Sequence, residues 1–264
     1  MSPIARTLGV SRTSLYAEPR ERSEQKRIGD EELLRVIRRI VEEKPTFGYR
    51  RVTARLRCFG FEANHKRVYR LMSREKLLLQ RYAPRPERPH YGKVITLRSD
   101  LRWCTDAFEI RCWNGDRVHV VFALDCCDRE VISWVAADKH LIGADVRDLM
   151  AQSIEARFGT TRTPHAIEWL SDNGPQFTAQ ETRLFAAQGG FLVRNTPSYS
   201  PESNGMAEAF VKTFKRDFVY LADVLDAQTV MKQLPGWFEE YNEHHPHKGL
   251  KMLTPRQFRR AQSH

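Results

Sequence analysis

The sequence predicts an α/β chain preceded by a small all-helical module. Three observations predict it. Strand-like runs crowd between Arg102 and Ala136, with Asn114-Gly115 as a hairpin signal between the first two. From Ile142 to Arg194, helical and strand-like segments alternate, a pattern that periodicity alone carries no further than α/β. Upstream, short helix-period segments fill Asp30 to Ser73, and a Pro- and Arg-rich stretch, Tyr82 to His90, sets the two regions apart as an extended basic linker.

At the amino end, Ile4 to Tyr16 reads as a short helix, a turn at Gly9 and a second helix capped by Ser11. This is a helix-turn-helix in miniature or, equally, a helical pair bridging to an upstream reading frame. Glu18 to Asp30 reads as a charged linker. With Asp30 as N-cap, Leu33, Leu34, Val36, Ile37, Ile40 and Val41 fall at helical spacing up to Pro45. Gly48 to Arg57 gives a second helix, stopped by Gly60. Asn64 caps a third, with Val68, Leu71 and Met72 inward and His65, Lys66, Arg67 and Arg70 outward. A helix, a Gly-centred turn and a capped basic helix make the plan of a helix-turn-helix, whose last helix enters the major groove while Arg and Lys meet phosphates. On that plan Arg50, Arg51, His65, Lys66, Arg67 and Arg70 are candidate DNA contacts. A solvated basic face is the plainer alternative.

Beyond the linker, Arg102 to Trp113, Val118 to Leu124 and Glu130 to Ala136 read as strands, the first two as antiparallel neighbours around the Asn114-Gly115-Asp116 turn. A helix over Ile142 to Phe158 and a strand over Ala166 to Leu170 follow. Next come a helix over Gln180 to Gln188, closed by Gly189-Gly190, and a strand over Phe191 to Arg194. After the loop Ser198 to Gly205 the pattern from Met206 to about Tyr220 is helical, with Phe210, Phe214 and Phe218 on one face and Glu208, Lys212 and Lys215 on an adjoining one. A last helix spans about Gln228 to Tyr241. His244, His245 and His247 then crowd together, but without nearby cysteines they do not favour zinc. These readings divide the chain into 1–29, a short helical segment and linker; 30–81, a helical DNA-binding domain; 82–98, a basic linker; 99–222, the α/β core; and 223–264, a helical extension.

Three acids stand out. Asp106 interrupts an apolar strand, Asp172 sits at the tip of another, and Glu208, after a gap of 35 residues, opens a helix. Singly, Asp172 could be a turn residue before Asn173-Gly174, Glu208 an i,i+4 partner of Lys212, and Asp106 an edge position. Together they offer the convergent hard oxygen donors that magnesium prefers, with open positions left for phosphate and water.

Composition narrows the function classes. Residues 1–100 carry 24 Lys and Arg against 12 Asp and Glu, while the rest carries 19 against 21, so the whole net charge of +10 lies in the first hundred residues. A basic segment beside a near-neutral body suits a polyanion-binding arm on a catalytic domain. The five cysteines lie mostly in apolar runs without metal-binding spacing, which indicates reduced core thiols of a cytosolic protein. No apolar stretch suits a membrane span, and the first residues lack a signal-peptide core.

Thr105-Asp106, Phe122 to Arg129, Ser171 to Gly174, Ser200-Pro201 through Glu208 to Lys215, and Tyr241-Asn242 to Thr254-Pro255 form a spaced set of blocks. Over residues 30 to 260 this set resembles the DDE transposases of bacterial insertion sequences, of the second-reading-frame (OrfB) type, in the retroviral integrase superfamily. The resemblance implies a ribonuclease-H-like catalytic core, a mixed sheet flanked by helices, behind a small helix-turn-helix DNA-binding domain. It implies magnesium-dependent cleavage at element ends and strand transfer, with Asp106, Asp172 and Glu208 catalytic and holding two Mg2+ ions, for which Mn2+ can substitute. Lys212 and Lys215 would hold terminal phosphates, while Asn173, Gly174 and Asn204 would shape loops. The implied partners are double-stranded DNA of the element ends and target, further copies of the chain, and a product of the upstream frame. The implied location is the bacterial cytoplasm, on the nucleoid when bound to DNA. Neither the zinc-binding amino-terminal domain nor the long strand-rich carboxy-terminal domain of retroviral integrases is expected here. A hydrolytic nuclease of the same fold, or a DNA-binding regulator without catalysis, are the alternative readings.

Overall fold

In a computed structural model, residues 24–80, 96–195 and 204–262 are described. The miniature helix-turn-helix at Ile4 to Tyr16, the linker Tyr82 to His90 and most of the loop from Ser198 lie outside them.

Three helices, α1 (Glu24–Glu43), α2 (Tyr49–Cys58) and α3 (His65–Arg74), form the amino-terminal module around Leu33, Ile37, Ile40, Val52, Leu56, Val68 and Met72. The expected turn and cap are present. Gly60 adopts φ +80°, and the Asn64 side chain accepts from the Lys66 amide at 2.9 Å. The start of α1 is corrected, however. The helix begins at Glu24, so Asp30 is no N-cap and Glu18 to Asp30 is no continuous linker. Asp30 is instead buried within the helix, with the Arg67 guanidinium donating to its carboxylate at 2.5 Å. The helix-forming run before it outweighs one glycine.

The core is a five-stranded sheet in the order β3-β2-β1-β4-β5, built from β1 (Arg102–Arg111), β2 (Arg117–Asp125), β3 (Val131–Ala137), β4 (Ile167–Ser171) and β5 (Phe191–Asn195). β1–β2 and β2–β3 pair antiparallel, β1–β4 and β4–β5 parallel. The first follows from the Asn114-Gly115 turn and the second from the short turn between Asp125 and Val131. The parallel pairs follow from the helical crossovers, α4 (Gly143–Phe158) between β3 and β4, and α5 (Pro175–Thr178) with α6 (Gln180–Gly189) between β4 and β5. Sequence periodicity misses the single turn of α5.

Strand alternation gives the sheet two apolar faces. One, with Trp103, Val121, Ala123, Ile167 and Trp169, packs under α4 and α6. The other, with Phe108, Ile110, Phe122 and Leu124, takes the Phe210-Phe214-Phe218 stripe of α7 (Gly205–Asp217) and Val230, Leu234, Phe238 and Tyr241 of α8 (Ala227–His244). α8 stays helical through Pro235-Gly236 because buried residues before and after the break hold it to the sheet.

Charge fastens the far end of the core. Arg157, in the last turn of α4, has a fully buried side chain that reaches Asp100 at 2.6 Å, Asp128 at 2.7 Å, Asp125 at 3.3 Å and Glu130. Arg256 and Arg259 of α9 (Pro255–Gln262) reach Glu130 at 3.1 Å, which fastens the last helix to the same cluster. Burial and the neighbouring Asp128 push the Asp125 carboxyl up to about 6, since a single Arg157 is shared among four acids.

The helical module meets the core at a second charged joint. Arg51 lies 5.4 Å from the Phe47 ring and 3.5 Å from the wholly buried Asp217, which Arg216 also grips. Lys44 and Arg55 both approach Glu240 at 3.6 Å. Phe47 meets His245 edge-on, and His245 stacks on Tyr241. The segment packs into the joint through His245 and His247, both buried, while His244 is exposed. Although His245 lies 3.7 Å from Asp217, it is held neutral, because burial and the adjacent His247, Arg51, Arg216 and Lys44 outweigh that one carboxylate. Burial, with Arg129 and Arg51, pulls His247 down to about 3.

Two outcomes follow for stability. Arg157→Met would strand several buried carboxylates and should cost about 3–5 kcal/mol, roughly 10 °C in melting temperature. A variant melting within about 2 °C of the parent would show that the cluster contributes little. For His247, the unfolded chain binds a proton near pH 6.5 that the folded chain refuses until about 3, so stability is lost as pH falls through that window by up to about 1.4 kcal/mol per pH unit. The raised carboxyls Asp106 and Asp125 act in the opposite sense below about 6, so the check is a difference. His247→Gln should be less stable than the parent at pH 7.5, with the gap narrowing toward pH 5 in parallel melting scans.

Candidate active site

β1 is the central strand, and its register decides which acids meet. Against β4 it pairs Cys104 with Leu170 in parallel. Two residues further along each strand stand Asp106 and Asp172, on neighbouring strands about 4.8 Å apart. Against β2, Asp106 lies opposite Phe122, and the following Phe108 packs on Phe214 of α7 with ring centroids 5.6 Å apart. That contact presents the first turn of α7, with Glu208, above Asp106. The buried Asn204 side chain, just before α7, donates to the Thr105 carbonyl at 3.0 Å and ties the helix start to the residue before Asp106. Asn195, at the end of β5, donates to the Asp172 carbonyl at 3.0 Å. Sequence reasoning missed Asn195, whose place at a strand end beside a catalytic-type acid was its only signal.

The three expected acids are therefore neighbours, and their electrostatics show it. Burial pushes the Asp106 carboxyl up to about 6, opposed by the Ala107 amide and reinforced by Asp172 and Glu208. The like charges of Asp172 and Glu208 add to the proton affinity of Asp106, though less than its burial does. Asp106 accepts from the Ala107 amide at 2.8 Å, and Asp172 from the Gly174 amide at 2.9 Å, so one oxygen of each is fixed by backbone. Glu208 makes the i,i+4 contact with Lys212 at 3.4 Å, with the lysine mostly exposed, a pair too weak in water to commit the carboxylate.

Among the described residues, no three His, Cys, Asp or Glu side chains form a ready-made metal cage. The donor set nonetheless fits a hard divalent cation. It is all carboxylate oxygen, from three separate elements, with an unfavourable mutual repulsion that a cation would relieve.

The remaining candidates divide. Lys215 lies half-buried over the Phe108 ring at 5.7 Å, on the wall of an adjoining cavity, and burial lowers its pKa. His65, Lys66 and Arg70 are exposed on α3, and Arg50 is exposed on α2 with its guanidinium 4.8 Å from the Tyr49 ring. Arg67 is half-buried against Asp30. Arg51 is corrected: it turns away from that outer face into the joint with Asp217, because position 51 lies about 100° round the helix from Arg50.

Comparison with known proteins gives this arrangement its context. Models of the integrase core domain match residues 97–201 and 190–255, and an HTH-like domain model matches residues 29–85. Transposase InsD of insertion element IS2 from Escherichia coli is 42% identical over 276 aligned residues, spanning 100% of this chain and 92% of the relative. An insertion element IS136 protein of Agrobacterium fabrum is 51% identical over 194 residues, 73% of this chain and 100% of the relative. A chain of the simian T-cell lymphotropic virus intasome, solved with the PP2A regulatory subunit B56 gamma, shares the fold at a TM-score of 0.53 and 15% identity, over 81% of this chain and 70% of that one.

The crowding of acids predicts a trade between stability and activity. Asp106→Asn keeps the acceptor for the Ala107 amide while removing a charge that the site disfavours. Because the group is partly exposed, the gain should be modest, about 1 kcal/mol, visible as a melting temperature raised by a few degrees in EDTA at pH 7.5. An unchanged or lowered value would show that the carboxylates do not strain one another.

Proposed function

We propose an active centre for this chain, which belongs to the integrase-core transposases of bacterial insertion elements: Asp106, Asp172 and Glu208 act together on the scissile phosphodiester. The observation that supports this reading is geometric: the parallel register of β1 with β4 sets Asp106 level with Asp172, and Asn204 ties the start of α7, which carries Glu208, to the residue before Asp106. In cleavage at an element end, a water oxygen bonds to phosphorus and the P–O3′ bond breaks, leaving a free 3′-hydroxyl. In joining, that hydroxyl oxygen bonds to a phosphorus of the target, whose own O3′ departs with the proton. Magnesium, or manganese in its place, held as two ions by the three carboxylates, would polarise the phosphate and the attacking oxygen.

The chain's own residues position the rest. Asn204 and Asn195 hold the backbone beside two of the acids, so the carboxylates keep their spacing as DNA arrives. Lys212 and Lys215 follow Glu208 along α7 and would take phosphates of the reacting strand. His65, Lys66, Arg67 and Arg70 of α3, with Arg50 of α2, would seat the duplex, leaving Arg51 to fix the helical module on the core. On this division residues 30–81 bind and 99–222 catalyse, joined by 82–98, in a protein working on DNA in the cytoplasm. Further copies and an upstream-frame product of the same element complete the assembly.

Asp172→Asn and Glu208→Gln should each lower strand cleavage and joining at least about a thousandfold with the parent's DNA affinity retained, since they remove charge and keep shape. Normal activity in either would remove that residue from the centre. Lys66→Ala and Arg70→Ala should instead weaken duplex binding and each make the slope of log affinity against log salt shallower by about 0.9. An unchanged slope would make α3 a solvated face only.

A further inference from the structure

Beside the carboxy-terminal half of α7, on the wall that Lys215 lines, lies a cavity of about 750 Å³, within the range of small-ligand sites. Its walls come from the end of β1 and its turn (Glu109, Arg111, Trp113), from Lys215, and from the turn after α7, including Tyr220. Two large aromatic side chains on this wall are left in water: Trp113 is 64% exposed and Tyr220 73%. They belong to different elements, yet the elements are fastened together. The Trp113 amide donates to the Val224 carbonyl at 2.8 Å, the Asn114 amide to Leu225 at 3.1 Å, and the Ala227 amide to the Asp116 carboxylate at 3.2 Å. The rings are thus displayed by a braced frame.

The charge is as informative as the rings. Glu109 is paired with Arg111 at 2.7 Å and, outside the cavity, with Arg117 at 3.3 Å, so the lining itself sets two cations, Arg111 and Lys215, against one acid that is already paired. A surface for another folded protein favours a core depleted of charge. Exposed aromatic faces within reach of Lys and Arg suit bases and phosphates. The place also fits. Lys215 is seven helical residues beyond Glu208, about 10 Å along α7, or roughly three nucleotides of a DNA strand.

We propose that this cavity is a stacking pocket for an unpaired nucleotide of the DNA strand being processed, its base against Trp113 and Tyr220 and its phosphate on Lys215 and Arg111. Such a pocket would hold the strand apart from its complement near the reacting phosphodiester. The proposal rests on the reading that the strand's phosphates follow Lys212 and Lys215.

The test uses the full chain and two fluorescent probes of equal length, a thymidine oligonucleotide and a blunt duplex, with anisotropy as the readout. Combined Trp113→Ala and Tyr220→Ala should weaken single-strand binding about tenfold or more and duplex binding far less, whereas Trp113→Phe should retain most of it. Photocrosslinking of the parent to an oligonucleotide bearing 5-iododeoxyuridine should label the peptide containing Trp113 or Tyr220. Both rings are exposed, so matched melting temperatures will show that the variants fold. Unchanged single-strand affinity, an equal loss for both probes, or labelling elsewhere would overturn the pocket. So would a changed oligomeric state with DNA binding intact, which would make the patch an interface between copies. If Lys215→Ala leaves single-strand binding intact while the aromatic pair matters, the phosphate reading fails and the pocket stands.

Discussion

The pairing of β1 with a neighbour on each side is the constraint on which the rest depends. Its antiparallel register with β2 sets which of its residues face α7, and its parallel register with β4 brings Asp106 level with Asp172. A slip of one residue in either ladder would send Asp106 to the opposite face of the sheet. The apolar residues around it prevent the slip. Trp103 and Phe108 lie on opposite faces of β1 and are buried in separate cores, so the register that buries both also aims the carboxylate.

Bringing three carboxylates together is costly, and the structure shows where that cost is met. Phe210 and Phe214 anchor α7 to Phe122 and Phe108, while Asn204 ties its start to β1. Packing of this extent outweighs the cost of holding the Asp106 carboxylate partly desolvated and near two like charges. Among the described residues, the acids do not form a closed cage.

The two buried charge clusters do a different kind of work. Arg157 gathers four acids from the loops around the hairpin segment 122–129 and, through Glu130, secures α9. Asp217 gathers Arg51 and Arg216 at the far end of the helix that carries Glu208. The helical module is therefore docked on the end of the same helix that carries Glu208, so one element joins the two regions.

Much of this could be read from the sequence alone, because the signals are local. The Asn114-Gly115 hairpin, the Asn64 cap, the four-residue phenylalanine spacing of α7, the polar interruption at Asp106 and the strand tip before Asp172 all depend on neighbours a few residues away. Blocks at matched spacing then put the three acids forward as one set. What only the tertiary structure decided depends on residues far apart in the chain. Asp30, inside the helix rather than at its cap, is buried because Arg67, 37 residues on, partners its carboxylate. Arg51 left the DNA-facing set because Asp217 is buried 166 residues away. Likewise Trp113 and Tyr220 form a patch only once the β1 turn is bonded to the segment after α7. A carboxylate or guanidinium looks the same in sequence whether it faces water, DNA or a buried partner, and desolvation, which exists only in the folded chain, settles which.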